Sequence, residues 1–274
     1  MTTATELPEL ATDYSLAPQA ISDYDRDGHV LVRGLASRQE VDAYYPCIAD
    51  ALEANKKENR KLEDRGTYHK AFIQVGNLWE IDERVKRYVL ARRFAKVAAE
   101  LMQVDGVRIY HDQALFKEPS GGHTPWHQDQ YYWPIDSDKT ITMWMPLVDC
   151  PSEMGPMIFA SGVHGAGSFG EVAIGDESAK FFTEKAKREE WPLRIYELNA
   201  GDATFHSGWT PHKAPGNSTN RMRPVMTIIY MAHDVKVSTP TNQNQPIDMA
   251  RFFPGKKPGD LAATELNPLV YIRK

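Results

Sequence analysis

A chain of 274 residues with 42% apolar and 25% charged side chains has an ordinary soluble, globular composition, and it can bury a core without disulfide or metal staples. A net charge of −5, with no lysine–arginine stripe, argues against nucleic-acid binding, and no apolar run approaches the length needed to span a membrane. The two cysteines, Cys47 and Cys150, show neither zinc-like spacing nor a disulfide framework, so both read as buried thiols in a reducing compartment. The first residues lack the basic and apolar regions of a secretory signal, and the expectation is a cytoplasmic enzyme.

Residues 1–20 are polar with scattered prolines and read as a loosely packed arm. Gly28 precedes a short strand, Val30-Leu31-Val32. Ser37 with Glu40 then forms the pattern of a capping box, opening a helix whose apolar face is Val41, Tyr44, Ile48 and Leu52. Pro46 lies inside that pattern and should kink or break it. The charged stretch Lys56 to Arg65 reads as a solvated loop or helix end. Residues 82–102 carry the clearest amphipathic helix, with Val85, Tyr88, Phe94, Val97 and Leu101 on one face.

From about residue 107 the texture changes to short β-branched and aromatic runs separated by Gly, Pro and Asp. Expected strands are Val107–Lys117, Ile141–Val148, Met157–Ala160, Leu193–Leu198, Ala203–His206 and Val225–Met231. Ser178–Glu190 interrupts them as a helical insertion. Many short strands without βαβ alternation indicate a sandwich or jelly roll. The expected organisation is one domain: the arm 1–20, a helical support 21–105 and a β-barrel core 106–274.

The segment His123-Thr124-Pro125-Trp126-His127-Gln128-Asp129 holds the chemistry. In an extended chain residues i and i+2 face the same side, so the His127 imidazole and the Asp129 carboxylate can converge on one ion. Two histidines and one carboxylate make a facial triad that leaves coordination positions open on non-haem Fe(II). A third ligand must come from a distant strand, and the segment 201–217 offers His206 and His212. Spacing alone does not decide between them.

His127-x-Asp129, Gly201-Asp202 before His212, Asn217 and Arg223 together resemble the phytanoyl-CoA dioxygenase family. So do Asp27–Gly34, Gln113–Pro119 and Gly155–His164, the last with Ala160 where a proline is usual. The resemblance covers most of the chain. It implies a mainly β fold with flanking helices, a double-stranded β-helix (jelly roll, cupin-like), and an Fe(II)- and 2-oxoglutarate-dependent dioxygenase using O₂. The histidine eleven residues before the arginine is the family's distal ligand, which assigns His212 and leaves His206 beside the site. Arg223 is implied as the anchor for the far carboxylate of 2-oxoglutarate, a task suited to a guanidinium fork, with Arg221 as a surface charge. Gln113, Thr124 and Trp144 are implied as further cosubstrate contacts. Ala214 stands where many relatives carry serine. Halogenating relatives replace the carboxylate ligand with a small residue. Retention of Asp129 therefore favours hydroxylation, or another outcome of C–H oxidation, over chlorination.

The substrate is less legible. Tyr131, Tyr132 and Trp133 follow the metal motif, and Phe72, Gln74, Asn77 and Trp79 fall on a segment that could line the cavity mouth. Gln74, Tyr132 and Trp133 are the leading candidates. Such a wall suits a mid-sized organic molecule, in the manner of a secondary metabolite. No basic cluster for CoA phosphates is visible. The competing readings are a cupin-type isomerase or hydrolase that does not use 2-oxoglutarate, and a catalytically silent binding module. A guanidinium facing the metal has no use in the former, and a complete ligand triad argues against the latter.

Overall fold

In the computed structural model, which describes residues 6–170 and 172–273, helix α1 (Pro18–Asp27) is entered through a proline and stopped by Gly28 at φ 76°. A side chain there would also collide with His164 and Thr210. Strand β1 (His29–Val32) follows, then α2 (Arg38–Asn55), where Ser37 and Glu40 form the expected reciprocal cap and Val41, Tyr44, Ile48 and Leu52 are buried. The helix runs on through Pro46 rather than breaking. Pro46 and Asp42, whose carbonyl loses its partner, both lie on the exposed face, where water can satisfy the freed group.

The N-terminal arm is better anchored than its composition suggests. Leu10 is buried, Tyr14 donates its hydroxyl to the Arg33 carbonyl, and Asp13 bridges Arg92 and Lys96. Residues 1–5 lie outside the described residues. The stretch from Lys56 to Arg65 is mostly exposed, except that Arg65 is buried against Glu118. After α3 (Thr67–Ala71) and β2 (Ile73–Gly76), the helix expected over 82–102 is two helices, α4 (Glu83–Val89) and α5 (Arg92–Met102), separated by an extended Ala91. No glycine or proline marks the break. Arg93 just beyond it is drawn inward to Glu40 and the Thr12 and Leu35 carbonyls, a tertiary demand that periodicity cannot report.

The remaining strands are β3 (Gly106–Phe116), β4 (Thr124–His127), β5 (Thr140–Pro146), β6 (Ile158–Ala160), β7 (Leu193–Ile195), β8 (Ala203–Ser207), β9 (His212–Ala214), β10 (Val225–Ala232) and β11 (Leu269–Ile272). Helix α6 (Asp176–Arg188) is the expected insertion, and α7 (Gln245–Phe252) precedes β11. The strands form two antiparallel sheets rather than one closed barrel. Seven strands run β1-β8-β5-β10-β3-β11 with β2 also on β3, and four run β4-β9-β6-β7. The N-terminal part is therefore not purely helical support, because β1 pairs with β8 and β2 with β3.

Alternation along β5 shows how the layers are built. Ile141, Met143 and Met145 join the core shared with Phe94, Val97 and Leu101 of α5, while Trp144 packs with Leu115 and, from the smaller sheet, Phe159. The two sheets of this jelly roll thus face one another across Trp144 and Phe159. Helix α6 seats Phe182 on Trp126, Ala160 and Trp191, capping the smaller sheet. Among the described residues no helix is long and apolar enough to cross a membrane.

Candidate active site

Two cross-strand pairs, one from each sheet, meet at Asp129. His127 of β4 lies directly opposite His212 of β9, and their rings are 4.1 Å apart. Thr142 of β5 lies opposite His206 of β8. Asp129 itself is not on a strand, as the sequence suggested, but opens a 3-10 turn over Asp129–Tyr132. The convergence survives because Gln128 between them is extended, at φ −119° and ψ 127°, which leaves His127 and Asp129 on one side. Gln128 is fixed there by its own amide, which donates to the Gly167 and Trp209 carbonyls and accepts from the Phe169 backbone N–H.

The donor set fits a divalent metal. His127 and His212 place Nε2 3.5 and 3.7 Å from Asp129 Oδ1, and His127, Asp129 and His212 form a cluster able to share one ion. Each histidine holds its other ring nitrogen on a backbone carbonyl, Nδ1 of His127 2.9 Å from Pro125 and Nδ1 of His212 3.0 Å from Thr210. A carbonyl only accepts, so the proton sits on Nδ1 and the Nε2 lone pair is left for a metal. Burial, with His127 beside it, holds His212 well below the usual histidine range and keeps it neutral.

His206 lies beside the group His127, Asp129 and His212 that could hold a metal. Its Nε2 is 3.2 Å from Asp129 Oδ2, and the Thr142 hydroxyl donates to the same oxygen at 3.0 Å. One carboxylate oxygen is thereby occupied, and the other faces His127 and His212. Thr142 escaped sequence reading, although it lies two residues before Trp144 on the same strand face.

Arg223 lines the same cavity of ≈ 490 Å³ as His127, Asp129 and His212. It is buried, stacked over Trp144 at 5.2 Å, and donates Nη1 to the Gly155 carbonyl. Gly155, at φ 72°, sits so close to Pro215 that a side chain there would overlap the Pro215 carbonyl. The Nε of Arg223 is buried without a partner, and among the described residues no carboxylate pairs with the guanidinium. Burial lowers it to about 10, so it remains a cation at neutral pH. Lys117, its neighbour across a β-bridge, is pushed down to about 6 by burial and then by Arg223. Arg223 is therefore the dominant charge here, an unpaired cation aimed at a space that can hold a small dicarboxylate. Arg221 is exposed.

Gln113, Thr227 and Trp144 form one row across β3, β10 and β5, and all three line the cavity, as do Thr124 and Ala214. Gln74, Tyr132, Trp133 and Phe72 line it as well. Tyr132 accepts the Ile174 backbone N–H on its hydroxyl, which holds the segment before α6 over the opening. Tyr131, Asn77 and Trp79 are elsewhere. The Tyr131 carbonyl accepts from Asn242 and Gln245, and Trp79 packs in the helical core after Asn77 turns the chain through the left-handed region at φ 55°.

The family model for phytanoyl-CoA dioxygenase matches residues 24–225. A probable α-ketoglutarate-dependent hypophosphite dioxygenase of Stutzerimonas stutzeri is 24% identical over 137 residues, and the match spans 47% of each chain, about half the length of that relative. Among solved structures, the non-haem α-ketoglutarate-dependent carbocyclase SnoK of nogalamycin biosynthesis superposes with a TM-score of 0.76 at 26% identity, over 93% of this chain and 97% of that one. The epimerase SnoN, solved with Fe³⁺, α-ketoglutarate and nogalamycin RO, gives 0.75 at 27% identity, over 92% and 98%. EctD from S. alaskensis, at 17% identity and 0.68 over 92% of each chain, shares the fold. With a His–Asp–His site, an unpaired arginine and a match over most of its length, the chain belongs to the phytanoyl-CoA dioxygenase family, whose enzymes depend on iron and 2-oxoglutarate.

Proposed function

We propose that this protein oxidises an unactivated C–H bond of a mid-sized organic substrate, by hydroxylation in the first instance, with His127, Asp129 and His212 holding Fe(II). When bound, iron and 2-oxoglutarate supply the oxidising power, with O₂ consumed and the cosubstrate converted to succinate and CO₂. The residues do the rest. Thr142 and His206 fix the orientation of Asp129, Arg223 takes the far carboxylate of the cosubstrate, and Gln113, Thr124 and Trp144 flank it. The observation that carries the reading is the unpaired, buried Arg223 in the same cavity as the triad. A metal-dependent isomerase or hydrolase would have no use for that charge.

SnoK and SnoN are named as a carbocyclase and an epimerase of nogalamycin biosynthesis. That favours a secondary metabolite here, seated against Gln74, Tyr132 and Trp133. Two free, buried cysteines fit a cytoplasmic location. Under anaerobic conditions Fe(II) and 2-oxoglutarate together should give a weak visible charge-transfer band. Asp129→Ala and His212→Ala should abolish it and lower succinate formation about a hundredfold or more. A wild-type protein without the band, or variants that retain it, would overturn the proposal.

A further inference from the structure

The cavity has a second polar wall, apart from His127, Asp129, His212 and Arg223. The family match stops at residue 225, yet Asn244 and three residues of α7, Asp248, Arg251 and Phe252, face into the same space. Asp248 is partly buried, and the hydroxyl of the fully buried Tyr110 donates to its Oδ2 at 3.1 Å. The carboxylate is thus tethered from behind. Tyr110 is its one side-chain hydrogen-bond partner among the described residues, and Arg251 acts on it from beyond ion-pair distance. Arg251 lies over the Phe252 ring at 5.0 Å and beside Gly76, where a methyl group would come within 3.3 Å of its Nη2. His111 is stacked on Phe252 at 4.6 Å, and burial pushes it down to about 4, so it is neutral.

A carboxylate that lines a cavity and accepts one side-chain hydrogen bond has acceptor capacity left for a donor. Two donors are available to organic substrates, a hydroxyl and an ammonium. The wall decides between them: Asp248 and Arg251 cancel in charge, and His111 and Asn244 add none, so an ammonium would gain no surplus attraction. We infer that α7 is the substrate-selecting wall of this enzyme, and that it reads a neutral hydroxyl, donated to Asp248, on a ring-sized molecule packed against Trp133. The inference rests on the cavity being the oxygenase site and names what that site selects.

The test uses full-length protein loaded with Zn(II) in place of iron and with 2-oxoglutarate, at pH 8. Saturation-transfer NMR compares trans-1,2-cyclohexanediol, cyclohexylammonium and cyclohexanecarboxylate. The diol should give the strongest transfer, and Asp248→Ala should reduce it about fivefold, the value of one hydrogen bond. Asp248→Asn, which keeps the shape, should retain part of the signal. Arg251→Gln should raise the ammonium signal above its wild-type level, a change that a merely structural α7 would not produce. A dominant carboxylate signal, a diol signal indifferent to Asp248→Ala, or an unchanged ammonium signal in Arg251→Gln would overturn the inference. Transfer to 2-oxoglutarate in the same samples serves as the control. If it is absent, the oxygenase reading itself has failed.

Discussion

The two ends of the cavity are built by different rules. At the metal end every important group comes from a strand or the turn directly after one, and cross-strand register sets the distances: His127 against His212, Thr142 against His206, Gln113 beside Thr227 beside Trp144. At the α7 end, Asn244, Asp248 and Arg251 come from one short helix and the residue before it, beyond the residues matched by the family. Register holds atoms to fractions of an ångström, which coordination chemistry needs. A short helix lining another part of the cavity carries side chains that take no part in that register.

The sharpest break in the comparison would come from Arg223. Arg223→Ala should weaken 2-oxoglutarate binding by about 2–5 kcal/mol, the range for truncating one partner of a buried charged pair, while iron binding changes little. Anaerobic titrations of metal and cosubstrate, done separately, check this, and parallel loss of both would show that metal and cosubstrate are not held by separate groups. Next in size is Thr142→Val, which preserves volume but removes one of the two hydrogen bonds to Asp129 Oδ2. Iron affinity should fall about tenfold, as for other groups that orient a ligand, with 2-oxoglutarate affinity at saturating metal unchanged.

The smallest effect belongs to the α7 end. Burial pushes the Asp248 carboxyl up to about 6, with Tyr110 and Arg251 offsetting part of the cost. Between about pH 4 and pH 6 the folded protein therefore keeps a proton that the unfolded chain has lost. Stability falls as pH rises through that window, and the loss is complete above it. Because Asp248 is only partly buried, the change should be about 1 kcal/mol. Asp248→Asn should flatten the profile, read from urea midpoints at pH 4.5 and 7, and identical slopes in both proteins would remove the assignment.

The metal end was legible because spacing, resemblance and chemistry agreed there. His127 and Asp129 announced themselves as an i, i+2 pair, although the physical reason proved to be one extended residue, Gln128, and not a strand carrying both. Thr142 was not legible because every residue of β5 is buried, so the polar–apolar alternation that would mark its face is missing. The break at Ala91 was invisible for want of a glycine or proline. The wall at α7 was invisible for a different reason. Gln245–Phe252 is an unremarkable short helix, and only its placement over β2 and β3 puts Asp248 and Arg251 into the cavity.

Arg223 has a consequence outside catalysis. A chain that seals an unpaired guanidinium in its interior is at its least stable when empty, and whatever neutralises that charge is a folding ligand. Saturation at a hundred times the dissociation constant adds about 2.7 kcal/mol of stability. If Arg223 anchors 2-oxoglutarate as proposed, the stability of this protein follows the supply of that metabolite.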